Sequence, residues 1–62
     1  MNDTQKQGFA IKGAKGMKYL CECLGMTQPT LSGRLHGVSS FTLEEAEVVK
    51  KLYNELTVGN NG

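Results

Sequence analysis

The sequence predicts an all-α domain, a small bundle of about four short helices, on two observations. In the last third, Leu43, Ala46, Val49, Leu52, Tyr53 and Leu56 recur at helical spacing with Glu44, Glu47, Lys51 and Glu55 between them. In the middle, two short apolar-faced stretches between Gly16 and Gly37 flank a third glycine, Gly25. Sixty-two residues leave room for one domain. A chain this short buries only about 60% of the surface its unfolded form exposes, so modest stability is expected. With 39% hydrophobic and 21% charged residues and a single proline, the composition is globular rather than disordered or collagen-like.

The first sixteen residues carry the weakest signal, because Gly8, Gly13 and Gly16 dilute any helical pattern around Phe9, Ala10 and Ile11. A helix from about Thr4 to Lys12 is the reading, with a short extended stretch over residues 8–12 as the alternative. Met17 to Leu24 reads as a second helix with Leu20, Cys21 and Leu24 on one face. Gly25 follows where a helix ends in a left-handed residue. Thr27 then stands as an N-cap for a third helix from Gln28 to about His36, with Leu31 and Leu35 four apart on its core side. Pro29 falls in the first turn, where a missing N–H loses no helical bond, and Gly37 closes the helix. The last helix should start at Leu43, with Thr42 and Glu45 forming a capping box and Phe41 packing on Ala46. It should run to about Leu56. The domain then spans residues 1–57, and residues 58–62 form a flexible tail.

Net charge is only +1, but it is unevenly distributed. Residues 1–38 hold Lys6, Lys12, Lys15, Lys18 and Arg34 against Asp3 and Glu22, a balance of +3. Residues 39–62 hold Lys50 and Lys51 against Glu44, Glu45, Glu47 and Glu55, a balance of −2. One end can therefore face phosphates while the other faces water or protein. No apolar run approaches the roughly 18 residues of a membrane span, and the N-terminus lacks a signal-peptide pattern, so a soluble intracellular protein is expected.

Catalytic parts are not visible: there is one histidine, no pair of carboxylates placed for acid–base work and no phosphate-binding glycine loop, so no enzyme activity and no cofactor is expected. No metal site is expected either. Cys21 and Cys23 point to different sides of a helix, and with His36 they fall short of the four ligands zinc takes. Cys21 reads as a small core residue and Cys23 as incidental.

Two short helices joined by a glycine-containing bend meet at a steep angle, and the small Cys21 lets them approach closely, which is the helix-turn-helix arrangement. Leu20, Leu24, Met26, Leu31 and Leu35 supply its apolar contacts. The outer face of the second helix then carries Gln28, Pro29, Ser32, Gly33 and His36, with Thr30 and Arg34 on its flanks. The set comprises a small residue at Cys21, a glycine four positions later, an aliphatic at Leu31, and LGMTQPTLSGRLHG leading into FTLEEA. In this the chain resembles the Cro and repressor proteins of bacteriophages, within the lambda-repressor-like helix-turn-helix superfamily. The likeness covers about Gly16 to Leu52, and the offset of nine positions from Gly16 to Gly25 is close to a compact Cro-type spacing.

The resemblance implies a lambda-repressor-like helix-turn-helix bundle that regulates transcription by occupying operator DNA. Gln28, Pro29 and Gly33 would then lie against base edges in the major groove, with Thr27, Thr30, Ser32 and Arg34 near the edge or the phosphates. The Gln28 amide matches the N6 and N7 edge of adenine, and Pro29 suits a thymine methyl. Lys18 would reinforce a phosphate on the free N–H groups of its helix. The chain departs from such families at Met17, where they often place glutamine, and at Gly33, which has no side chain to read a base. His36 reads as a helix-end residue rather than a base reader, and the last helix's apolar stripe as core. The implied partners are double-stranded operator DNA and a second copy of the chain, through the last helix or by pairing only on DNA. The implied location is the cytoplasm of a bacterial host, on its nucleoid. The alternative is a protein-binding modulator or antitoxin that docks on a co-encoded regulator through the acidic last helix.

Overall fold

A computed structural model describes residues 1–59 of the chain. Four helices follow one another: α1 (Asp3–Lys15), α2 (Met17–Leu24), α3 (Gln28–Leu35) and α4 (Leu43–Gly59), with no strand among the described residues. α1 packs on all three of the others, and α2 on both α3 and α4, whereas the backbones of α3 and α4 do not approach each other. Each helix contributes to one core: Ile11 from α1, Leu20 and Cys21 from α2, Leu31 and Leu35 from α3, and Val49 from α4. Each fully buried aliphatic contributes about 1.5–3 kcal/mol relative to exposure, so a core of this size sustains only modest stability.

The N-terminal segment is helical throughout, which excludes the extended alternative and lengthens the expected helix at both ends. Its start is a capping box: Gln5 N donates to Asn2 Oδ1 at 2.8 Å, and Asn2 N donates to Gln5 Oε1 at 2.8 Å. Its stop is Gly16, whose N–H donates to Lys12 O at 2.8 Å. Only Gly8 and Ile11 of α1 are buried, which explains why its apolar pattern is faint. Gly8 is a packing residue: a Cβ there would stand 2.7 Å from Leu35 Cδ2, so its absence lets α1 close on α3.

α4 begins as expected, with Glu45 N donating to Thr42 Oγ1 at 3.1 Å and Thr42 N to Glu45 Oε1 at 2.9 Å. Phe41 is half-buried against the core, and Ala46 on the helix is half-buried. Leu43 does not join the stripe and is 86% exposed. It lies six residues before Val49, about 120° around the helix, whereas Glu45 lies only about 40° from it and faces inward. The helix also outlasts Leu56 and continues to Gly59, since nothing before that glycine breaks it. The tail expected over residues 58–62 therefore begins inside α4, and residues 60–62 lie outside those described.

Candidate nucleic-acid interface

α2, its turn and α3 form the unit on which the site is built. Gly25 adopts the left-handed conformation (φ 68°, ψ 35°) and returns its N–H to Cys21 O. Met26 N donates to the same carbonyl at 3.1 Å. The chain thus leaves α2 and re-enters a helix within three residues. Leu31 and Leu35, both fully buried, then fix which face of α3 is turned inward.

Thr27 has the extended backbone of an N-cap (φ −79°, ψ 162°), and its carbonyl accepts from Leu31 N at 3.0 Å. Its hydroxyl, expected to cap the helix, instead donates to Thr30 Oγ1 at 3.0 Å. The amides of the first turn of α3 therefore have no side-chain acceptor, and Pro29 carries no amide hydrogen. Thr27, Gln28, Pro29 and Thr30 are all exposed and form a continuous uncharged edge.

The rest of α3 is more covered. Ser32, Gly33 and Arg34 are half-buried. The helix ends in a Schellman turn: Val38 N donates to Gly33 O at 2.8 Å, Gly37 N to Arg34 O at 3.4 Å, and Gly37 is left-handed (φ 84°). Such a turn brings the residue after the glycine over the helix's last turn. Val38 accordingly lies across Gly33, its Cβ 3.8 Å from where a Cβ on Gly33 would be. With no side chain at Gly33 to cover it, Val38 stays 86% exposed. Sequence reasoning missed Val38; the signal was available in Gly37 with an apolar residue directly behind it.

His36 caps α3, as expected of a helix-end residue. Its Nδ1 lies 2.8 Å from Ser32 O and 3.4 Å from Ser32 Oγ; toward the carbonyl it acts as a donor, with the proton on Nδ1. The ring meets Phe9 edge-on at 5.5 Å, and Lys12 Nζ stands 5.7 Å from the Phe9 centroid.

Arg34 differs most from expectation. A lone arginine on a polar helix should reach outward, yet this one is held within the molecule. Its Nη1 donates to Ser40 O at 2.9 Å and to Ser39 Oγ at 3.2 Å. Its Nε lies 2.9 Å from Glu45 Oε1, close enough for an ion pair although not aligned as a hydrogen bond. Both side chains are about four-fifths buried, at 20% and 19% exposure.

Lys18 is exposed in the first turn of α2. The N-cap there is Gly16, which has no side chain to satisfy the free amides of that turn. Lys12 and Lys15, at the end of α1, are exposed close by in sequence, and Lys15 Nζ lies 5.9 Å from the Tyr19 ring centroid. Tyr19 stays a neutral phenol well past neutrality. The neighbouring Cys23 side chain, above all once ionised, raises its pKa above the ordinary value, and slight desolvation and Glu55 act in the same direction.

Cys21 is buried and Cys23 exposed, both as free thiols. No group of three or more potential metal ligands occurs among the described residues, and no described helix is long and apolar enough to cross a membrane. Compared with protein-family models, with curated proteins and with solved structures, the chain matches none.

Proposed function

We propose that this chain is a sequence-specific DNA-binding regulator of the phage Cro or repressor type, which inserts α3 into the major groove and acts by occupying its operator. One observation carries the reading. The N-terminal edge of α3, Thr27 to Thr30, is exposed, uncharged and free of carboxylates, and it stands on a helix anchored by two fully buried leucines. Such an edge fits a groove lined by base donors and acceptors. Gln28 is the principal reader, Pro29 and Val38 offer apolar contacts suited to thymine methyls, and Thr27, Thr30 and Ser32 lie within reach of the groove wall. Lys18 and the bare amides of α2's first turn suit a phosphate.

A module this small reads few base pairs, so a two-fold pair on half-sites one helical turn apart follows. The test is selection from a randomised duplex pool, then titration of the enriched duplex and a scrambled one at two salt concentrations. Enrichment of a two-fold-symmetric sequence, with binding that weakens steeply as salt rises, supports the proposal. No duplex bound at low salt would refute it.

One observation favours a second reading, docking on another regulator. Leu43 is 86% exposed at the start of α4 and borders a shallow groove lined by Asp3, Thr4, Gln7, Ala46, Glu47 and Lys50. Loss of a protein partner, but not of DNA, on Leu43→Lys would support that reading.

A further inference from the structure

Resting on the DNA-binding reading, we infer that Arg34 is a positioning residue rather than a phosphate contact: it fastens the recognition helix α3 to the start of α4, and Glu45 is its counterpart. The backbones of α3 and α4 do not approach each other. Between the Schellman turn and the α4 cap runs a short irregular link, residues 39–41. Arg34 spans it, with one nitrogen on Ser39 Oγ and Ser40 O and another at Glu45.

The oxygen that Arg34 faces has two tasks. Glu45 Oε1 lies 2.9 Å from Arg34 Nε and also accepts from Thr42 N at 2.9 Å. The α4 capping box, the link and the last turn of α3 thereby share one charged junction. Glu45 reaches it because its position on α4 lies close to that of the buried Val49. A guanidinium presents its donors in a fixed planar fork, so holding two targets at once restricts the helix bearing it. Turning Arg34 toward a phosphate would break all three contacts and leave Glu45 half-buried without its cation.

The two roles differ in the sign of one substitution. In Glu45→Gln the amide oxygen still accepts from Thr42 N, so the capping box survives and only the charge is lost. If Arg34 positions α3, Arg34→Gln weakens binding to the selected duplex by about tenfold, within the range of couplings carried through packed side chains, and Glu45→Gln, which leaves the bonds to Ser39 and Ser40 in place, weakens it by a smaller factor. The double variant is then no weaker than Arg34→Gln alone, because the contact that Glu45→Gln removes is one that Arg34→Gln has already removed. The dependence of log K on log salt stays as in the parent chain, since no phosphate contact is lost. If Arg34 touches a phosphate, Arg34→Gln shallows that slope by about 0.9, and Glu45→Gln tightens binding by freeing a cation and removing an anion.

Fluorescence anisotropy over a salt series, with circular dichroism melting of each variant to establish folding, reads both quantities. Losses by both single variants, with the double variant no weaker than Arg34→Gln and an unchanged slope, support the inference. Unchanged or tighter binding by Glu45→Gln, or a shallower slope for Arg34→Gln, overturns it while DNA binding by the parent chain stands. A parent chain that binds no selected duplex overturns the DNA reading itself.

Discussion

Gly13 and Gly16, three residues apart, should respond to alanine with opposite sign. Gly13 is an exposed residue within the last turns of α1, and a Cβ there would meet nothing within 4 Å. Alanine fits a helical backbone and restricts the unfolded chain, so Gly13→Ala should stabilise by about 0.4–1 kcal/mol. Gly16 also has open space around it, so sterics with neighbours play no part. Its backbone, at φ 96° and ψ 158°, is open to almost no residue but glycine, and it serves as both the end of α1 and the N-cap of α2. A residue held in such a region costs on the order of 1–3 kcal/mol. In a domain of this size about 1 kcal/mol moves the melting temperature by roughly 4–8 °C. Thermal melts followed at 222 nm should therefore show Gly13→Ala a few degrees above the parent chain and Gly16→Ala up to about 20 °C below it. A Gly16→Ala variant that melts with the parent would refute the placement of the α1–α2 bend.

Leu31→Ala, which empties a fully buried site, should cost about 2–5 kcal/mol and leave this small domain largely unfolded at 37 °C, whereas Leu43→Ser, at an 86% exposed site, should shift stability by less than about 0.5 kcal/mol; chemical denaturation distinguishes them. Lys18→Ala should weaken selected and scrambled duplexes alike and shallow the salt dependence by about 0.9. Gln28→Ala should lose about 1–3 kcal/mol on the selected duplex and much less on a scrambled one; equal losses on both would show that Gln28 places the protein without reading sequence. Val38→Ser should leave the melting temperature unchanged, because the side chain is exposed, while weakening the selected duplex in the same titration.

The parts of this protein that were legible in the sequence are those governed by neighbours in the chain. Gly25 ends α2 in a left-handed turn, and Thr42 with Glu45 opens α4, because these devices involve residues no more than about four apart. The same locality placed Leu31 and Leu35 in the core and left Gln28 and Pro29 outside it. α1 was less legible because its start rests on an Asn2–Gln5 box and its buried face on one isoleucine and a glycine. A glycine that permits close packing and one that weakens a helix look identical in a sequence.

What the sequence by itself determined, then, is the succession of short helices, their caps and the polar edge of α3. The tertiary structure decided how far each residue is free to act. Gly8 became a contact because Leu35 arrives from 27 residues away, and Val38 came to cover Gly33 because the Schellman turn folds back. Arg34, which a sequence presents as a lone surface cation, became an internal tie because Glu45 enters from another helix at 2.9 Å. Periodicity and capping are set within a turn or two of the chain, whereas a charge is spent or available according to what the fold brings beside it.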